Sequence, residues 1–237
     1  MSSPRPELSA ASTAGRARRA TWAVIFDLDG VLTDTSELHY QSWQELADTL
    51  GIPFDRARNE ALRGISRMES LRIVLDSHWE AFTPAQRQAL TEHKNDSYVQ
   101  KVAGLTPRDL FPGVERLLRE LRAAGAAVAV ASSSRNAAAV IERLGIAPLL
   151  DAVVDANLAP RSKPDPQVFL VAAEQVCVAP VCCVVVEDAE SGVAAGLAAG
   201  MKVAGVGPVE RVGRANVQVA ATGDLTAAIL RRLCVGE

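Results

Sequence analysis

"VIFDLDGVLTD", residues 24–34, decides the reading of this chain. An apolar run of strand length ends in two aspartates, Asp27 and Asp29, followed at once by Gly30. Two carboxylates in one tight turn repel each other, and a bound cation would offset that cost. Taken alone, D-x-D-G also fits an ordinary turn, or a calcium loop, although a helix rather than a strand should precede the latter.

Three further segments have the same style. "AAVAVASSS" (126–134) ends in three serines, "VCCVVVEDAESG" (181–192) in two acids, and "KVAGVG" (202–207) follows the short "AVV" (152–154). None alternates polar with apolar residues, so each reads as a strand buried on both faces, as in a parallel sheet. Helical patterns lie between them. "GVERLLRELRAAG" puts Val114, Leu117, Leu118 and Leu121 on one face and stops at Gly125; "RNAAAVIERLG" and "PQVFLVAAEQV" behave alike. Strand–helix alternation predicts an α/β fold, a doubly wound Rossmann-like parallel sheet with right-handed crossovers.

Residues 35–103 break the rhythm. They read as helix throughout, with Trp43, Leu46, Ala47 and Leu50 in a stripe closed by Gly51. The expectation is a helical subdomain at 35–103 inserted into a core formed by 21–34 and 104–237.

The 237 residues suffice for one large domain or a core with an insertion, and a net charge of −3 gives no sign of a nucleic-acid or membrane surface. No apolar run approaches the roughly 20 residues that span a bilayer. Cys177, Cys182, Cys183 and Cys234 lack metal-ligand spacing and suit a reducing compartment, so a cytoplasmic location is expected. Residues 1–20 lack the apolar stretch of a signal peptide. They are Arg-rich and acid-poor, as in a transit peptide, but read more simply as a disordered tail or cloning remnant.

In an open parallel sheet, ligands bind at the carboxyl ends of the strands. Asp27 and Asp29, then Ser132, Ser133 and Ser134, then Glu187 and Asp188 stand at three such ends. Hard oxygen ligands in small number suit Mg²⁺ that keeps waters and meets a phosphate. Ser132 and the N–H groups after it, read as opening a helix, form an anion cradle. "SKPDP" (162–166) sets Lys163 before a helix, with Pro164 at its first position. A cation there sits at the wrong end of the helix dipole unless a phosphate lies nearby. The set suits phosphoryl transfer with Asp27 as nucleophile. Solvated polar loops are the plainer alternative.

"DLDG", "VASSS", "SKPDP" and "VEDAESG", in this order, resemble the four motifs of the haloacid dehalogenase-like superfamily of aspartyl-phosphate enzymes. The resemblance implies Asp27, Asp29, Ser132 and Lys163 as catalytic and Asp27, Asp29, Glu187 and Asp188 around Mg²⁺, and it makes the helical insertion at 35–103 a cap domain. From about residue 20 onward the chain is similar, more closely, to the β-phosphoglucomutase family. "TDTSELHYQSW" places His39 beside the hinge. "LRGISRMESL" places Arg67, with Gly64 and Ile65, where that family grips the phosphate remote from the metal. "HKNDSYVQ" places Lys94 and Asn95 near the sugar. "SSSRN" supplies Ser133, Ser134, Arg135 and Asn136 as the core substrate loop, with arginine at 135 where the well-known form has lysine.

The resemblance implies interconversion of β-glucose 1-phosphate and glucose 6-phosphate, with glucose 1,6-bisphosphate as activator and intermediate. It also implies a small sugar phosphate as partner; the charge and the lack of a spanning run predict no nucleic acid and no membrane, and a monomer is expected. A sugar-phosphate phosphatase of the same superfamily is the alternative, and a non-catalytic binding protein is disfavoured because no motif position is degenerate.

Overall fold

The computed structural model describes residues 20–63 and 65–235. Its centre is a sheet of six parallel strands: β1 (Ala23–Phe26), β2 (Ala127–Ala131), β3 (Ala152–Val154), β4 (Cys183–Glu187), β5 (Lys202–Val206) and β6 (Val217–Val219). Their spatial order is β3-β2-β1-β4-β5-β6. The chain therefore works outward from β1 to one edge, returns to β4 and works outward to the other. β1 and β4 are neighbours at the switch point, with Phe26 level with Val186. Helices α5 (Val114–Ala123), α6 (Ala137–Arg143), α7 (Gln167–Gln175), α8 (Glu190–Ala198), the short α9 (Val209–Val212) and α10 (Ala227–Val235) connect or follow the strands.

Both faces of the sheet are dry, as the unbroken apolar runs require. Val24 and Phe26 pack with Val128, Val130, Val184 and Val186 against α5, α6 and α10, where Leu117, Leu121, Val140 and Leu230 are buried. Ala23 and Ile25 pack with Ala127, Ala129 and Val185 against α7 and α8, through Phe169, Ala172 and Val193. α5 stops because Gly125 takes φ +77°, a left-handed conformation that closes the helix at little steric cost.

β6 was not expected from the sequence. It is a three-residue edge strand with Gln218 exposed between half-buried Val217 and Val219, too short and too mixed to read as a buried run. Two helix starts also differ from expectation. α7 begins at Gln167, not at Pro164, because Asp165 accepts from the Gln167 N–H at 2.9 Å and holds a local turn there. α6 begins five residues beyond Ser132, which lies in a loop where its Oγ accepts from the Ser134 N–H at 3.0 Å.

Between β1 and α5 the described residues form helices and 3₁₀ turns without a strand: α1 (Thr35–Leu50), α2 (Arg56–Glu60), α3 (Arg67–Leu75) and α4 (Pro84–Val102). They have an apolar cluster of their own, built on Trp43, Leu46, Phe54, Leu71, Val74 and Leu75. The far end of α4 behaves differently, because Tyr98 and Val102 are buried in the cluster of the sheet.

Leu117 is fully buried beneath the sheet. Leu117→Ala should cost about 2–5 kcal/mol of stability and lower the thermal midpoint, read by calorimetry, because the cavity cannot fully collapse.

Candidate active site

Lys163 organises the carboxyl ends of β1 and β4. Its Nζ donates to Asp27 Oδ1 at 2.5 Å and to Glu187 Oε1 at 2.6 Å, and lies 3.5 Å from the Ala131 carbonyl oxygen. The residue is 1% exposed. Burial disfavours its charge, but Asp27 and Glu187 more than compensate and hold the ammonium above its ordinary range. The second Glu187 oxygen accepts from the Ala189 N–H at 2.8 Å. Gly192 permits this arrangement, since a Cβ there would fall 1.7 Å from Glu187 Oε1.

Asp27, Glu187 and Asp188 bring a carboxylate oxygen each to within 4.8 Å of one another, and all three are buried. Burial raises Asp27 well above its usual range, partly offset by Lys163. Asp188 is pushed up to about 7 by burial and by Glu187, against the pull of Arg63 and Arg211. Crowded, dehydrated carboxylates of this kind are relieved by a hard divalent cation, and the donor set fits one. Asp29 directs its side chain elsewhere: Oδ1 accepts from the Thr35 hydroxyl, at the first residue of α1. Withdrawal from water raises its carboxyl to about 6, opposed by Lys163 and Lys94.

A cavity of about 310 Å³ lies between this cluster and helices α1–α4. Asp27, Asp29, Glu187 and Asp188 line one part of it, and Arg67 and Arg135 also line it. Arg67 donates to Asn95 Oδ1 at 2.7 Å, and Asn136 Nδ2 donates to the same oxygen at 2.8 Å. Burial and the nearby Arg135 charge depress the Arg67 guanidinium. His39, Ile65, Lys94, Ser133 and Ser134 line the cavity too. Gly64 falls outside the described residues. Ser132 is fully buried and supports the loop through Ser134.

Lys94 is 2% exposed, with Nζ 2.7 Å from His39 Nδ1 and above the rings of Trp43 and Tyr98, at 5.0 and 4.8 Å. Burial and Arg67 draw its pKa down to about 7, against Asp29. Burial, then Lys94 and Arg67, keep His39 well below its ordinary value, so the ring is neutral beside Lys94 Nζ.

Several contributors were missed in the sequence. Tyr98 stacks on His39 with centroids 4.0 Å apart, and the Lys94–Tyr98 spacing of one helical turn was a usable signal. Arg63 and Glu69 reach from the helical insertion to the core, to Asp188 at 3.1 Å and Ser162 at 2.7 Å. Thr35 and Arg211 carried no local signal.

The chain belongs to the haloacid dehalogenase-like hydrolase family, whose model matches residues 23–200. It is 44% identical over 210 residues to the beta-phosphoglucomutase of Bacillus subtilis, covering 88% of this chain and 93% of that protein. It is 29% identical to a phosphorylated carbohydrates phosphatase of Thermotoga maritima, covering 76% and 82% of the two chains. The crystal structure of beta-phosphoglucomutase from Clostridium difficile superposes with a TM-score of 0.87 at 37% identity, over 90% of this chain and 97% of that one. The fold is thus haloacid dehalogenase-like, and family membership with the buried trio implies a divalent cation.

Without the cation, Asp29 and Asp188 bind protons in the folded state up to about pH 6 and 7. Unfolded, they lose them near pH 3.9. The native state therefore holds more protons between those limits, and stability falls as pH rises from about 4 to 7. Denaturant titrations in chelator should show this decline, and saturating Mg²⁺ should flatten it.

Proposed function

We propose that this chain is a β-phosphoglucomutase, an isomerase interconverting β-D-glucose 1-phosphate and β-D-glucose 6-phosphate. One observation carries the reading. A single cavity is lined both by the buried carboxylates, with Lys163 behind them, and by Arg67 beside Arg135. A carboxylate cluster loaded with a cation accommodates the phosphoryl group in transfer; paired guanidiniums accommodate a second phosphate. A sugar bisphosphate matches such a site, and the similarity to beta-phosphoglucomutases supports the same reading.

In this reading Asp27 is the nucleophile. Lys163 occupies Oδ1, leaving Oδ2 for phosphorus. When Asp27 carries the phosphoryl group, the sugar 6-hydroxyl of β-glucose 1-phosphate attacks it, and Asp29 takes the hydroxyl proton. The P–O bond to Asp27 breaks and glucose 1,6-bisphosphate forms. After the bisphosphate turns over, Asp27 attacks the phosphorus at C1, and Asp29 returns its proton to the departing sugar oxygen. Asp29 suits both steps, since a group near 6 gives and takes a proton at neutral pH. Asp27, Glu187 and Asp188, with the Asp29 backbone carbonyl, would hold Mg²⁺, which when bound would supply charge neutralisation for the transferring group. Glucose 1,6-bisphosphate is also the activator that first phosphorylates Asp27.

Residues 35–103 act as the cap, hinged near Asp34–Thr35 and near Gly104. Arg67, Asn95 and Arg135 hold the idle phosphate, and His39, Lys94, Ser133, Ser134 and Asn136 surround the sugar. Bridges from cap to core, Arg63–Asp188, Glu69–Ser162 and Asn95–Asn136, hold the site closed and exclude water. Exclusion of water is what separates a mutase from a phosphatase. The enzyme works as a cytoplasmic monomer, in keeping with four free cysteines. No described helix is long and apolar enough to cross a membrane.

Phosphorus NMR with β-glucose 1-phosphate, Mg²⁺ and catalytic bisphosphate should show glucose 6-phosphate without release of inorganic phosphate. Phosphate release as the main course would favour the phosphatase. Asp27→Asn should abolish turnover and the labile phosphoryl group seen by mass spectrometry. Arg67→Ala strands a phosphate dianion under the cap. At about 2–5 kcal/mol for breaking such a pair, kcat/KM should drop roughly 30- to several-thousand-fold. Phosphorylation of Asp27 by acetyl phosphate, which leaves no second phosphate to grip, should fall by less than about fivefold. Near-wild-type rates in both assays would overturn the assignment of Arg67.

A further inference from the structure

Asp188 is the carboxylate of the trio that faces two arginines. Arg63, just past α2, donates from one terminal nitrogen to Asp188 Oδ2 at 3.1 Å. Arg211, in α9, brings a terminal nitrogen to 3.9 Å from the same oxygen. Glu60, at the end of α2, ties the pair together. It accepts from Arg63 Nε at 2.9 Å, and its Oε2 lies 3.8 Å from Arg211. The Ser191 hydroxyl donates to the Arg63 carbonyl oxygen at 3.4 Å, so the Arg63 backbone is anchored to α8 as well. Gly30 closes the remaining side, where a Cβ would fall 2.4 Å from Asp188 Oδ2. Arg63 is 23% exposed at its side chain and Arg211 31%, whereas Asp188 is 7% exposed.

A guanidinium on one oxygen of a cation ligand has two effects. It occupies a lone pair that an incoming ion could use, and it repels that ion across a short, poorly screened distance. Here one guanidinium belongs to the cap and the other to the core. We propose that Arg63 and Arg211 are positioning residues that act through Asp188 to weaken the hold on the divalent cation. Cation binding in turn loosens the Arg63 bridge between cap and core. The coupling is reciprocal by thermodynamic necessity: whatever Arg63 takes from cation affinity, the cation takes from the Arg63–Asp188 contact. The loaded enzyme thereby opens for sugar-phosphate exchange more readily than the metal-free one. The inference rests on the proposed role of Asp27, Glu187 and Asp188 as the cation site.

Calorimetric titration of the metal-free full-length protein with Mg²⁺, and with Mn²⁺ as a second probe, tests it without reference to turnover. Arg63→Met should bind the cation about three- to thirtyfold more tightly and Arg211→Met about two- to tenfold, the range expected for removing one charge facing a dication. Arg63→Lys retains the charge facing the cation and should stay within about twofold of wild type. Amide hydrogen exchange supplies the second readout. Mg²⁺ should speed exchange in α2 of the wild type and leave Arg63→Met, already loosened, unchanged. Circular dichroism checks that each variant folds, and Arg211→Met and Arg63→Lys keep the test intact should Arg63→Met fail. Equal or weaker cation binding in the methionine variants, or α2 exchange indifferent to Mg²⁺ in the wild type, would overturn the inference while leaving the cation site standing. A wild type that binds neither ion would overturn both.

Discussion

A lysine ammonium buried between two carboxylates is the interaction on which the rest of this structure depends. Lys163 reaches Asp27 and Glu187 from the loop before α7, so the ends of β1 and β4 are joined by charge as well as by the ladder between them. A buried group of this kind is costly unless every partner is in place. That requirement explains features far apart in the sequence: Gly192 without a side chain, the Ala189 N–H turned to Glu187, and Phe169 beneath the ammonium at 4.9 Å. Removing either acid would leave the lysine unbalanced.

The second constraint is that, in the proposed function, chemistry and recognition come from different parts of the chain. The carboxylates stand on the sheet, while Arg67, Lys94 and His39 stand on helices inserted after β1. Asp29 belongs to both, because its carboxylate accepts from Thr35 at the first turn of α1. The group proposed to move the proton is thus tied directly to the first residue of α1, where the proposed hinge would lie.

The strands were legible in the sequence because they are buried on both faces, which leaves unbroken apolar runs ending in polar clusters. β6 was not, since an edge strand of three residues carries neither a run nor a clean alternation. Asp27, Asp29, Lys163, Glu187 and Asp188 were legible because charge at the end of an apolar strand, or at the wrong end of a helix, is anomalous. Arg63, Thr35, Tyr98 and Arg211 were hidden for the opposite reason. An arginine in a charged helix or a tyrosine on an apolar stripe is unremarkable until tertiary contacts give it a partner. The helix starts proposed at Pro164 and after Ser132 failed because local turns, Asp165 to Gln167 and Ser132 to Ser134, capture the backbone first.

The division of the sheet into two faces reaches into the active site as a matter of parity. Ala23 and Ile25 face α7 and α8, and Asp27 is the next odd position of that strand; Cys183 and Val185 lead to Glu187 in the same way. Ala127, Ala129 and Ala131 share that face, and Lys163 lies against the Ala131 carbonyl. The carboxylate cluster continues one of the two dry cores into the cavity. Loss or gain of a single residue within β1 would leave composition, charge and motif intact. It would turn Asp27 toward α5 and α10 and set a leucine or phenylalanine before the lysine.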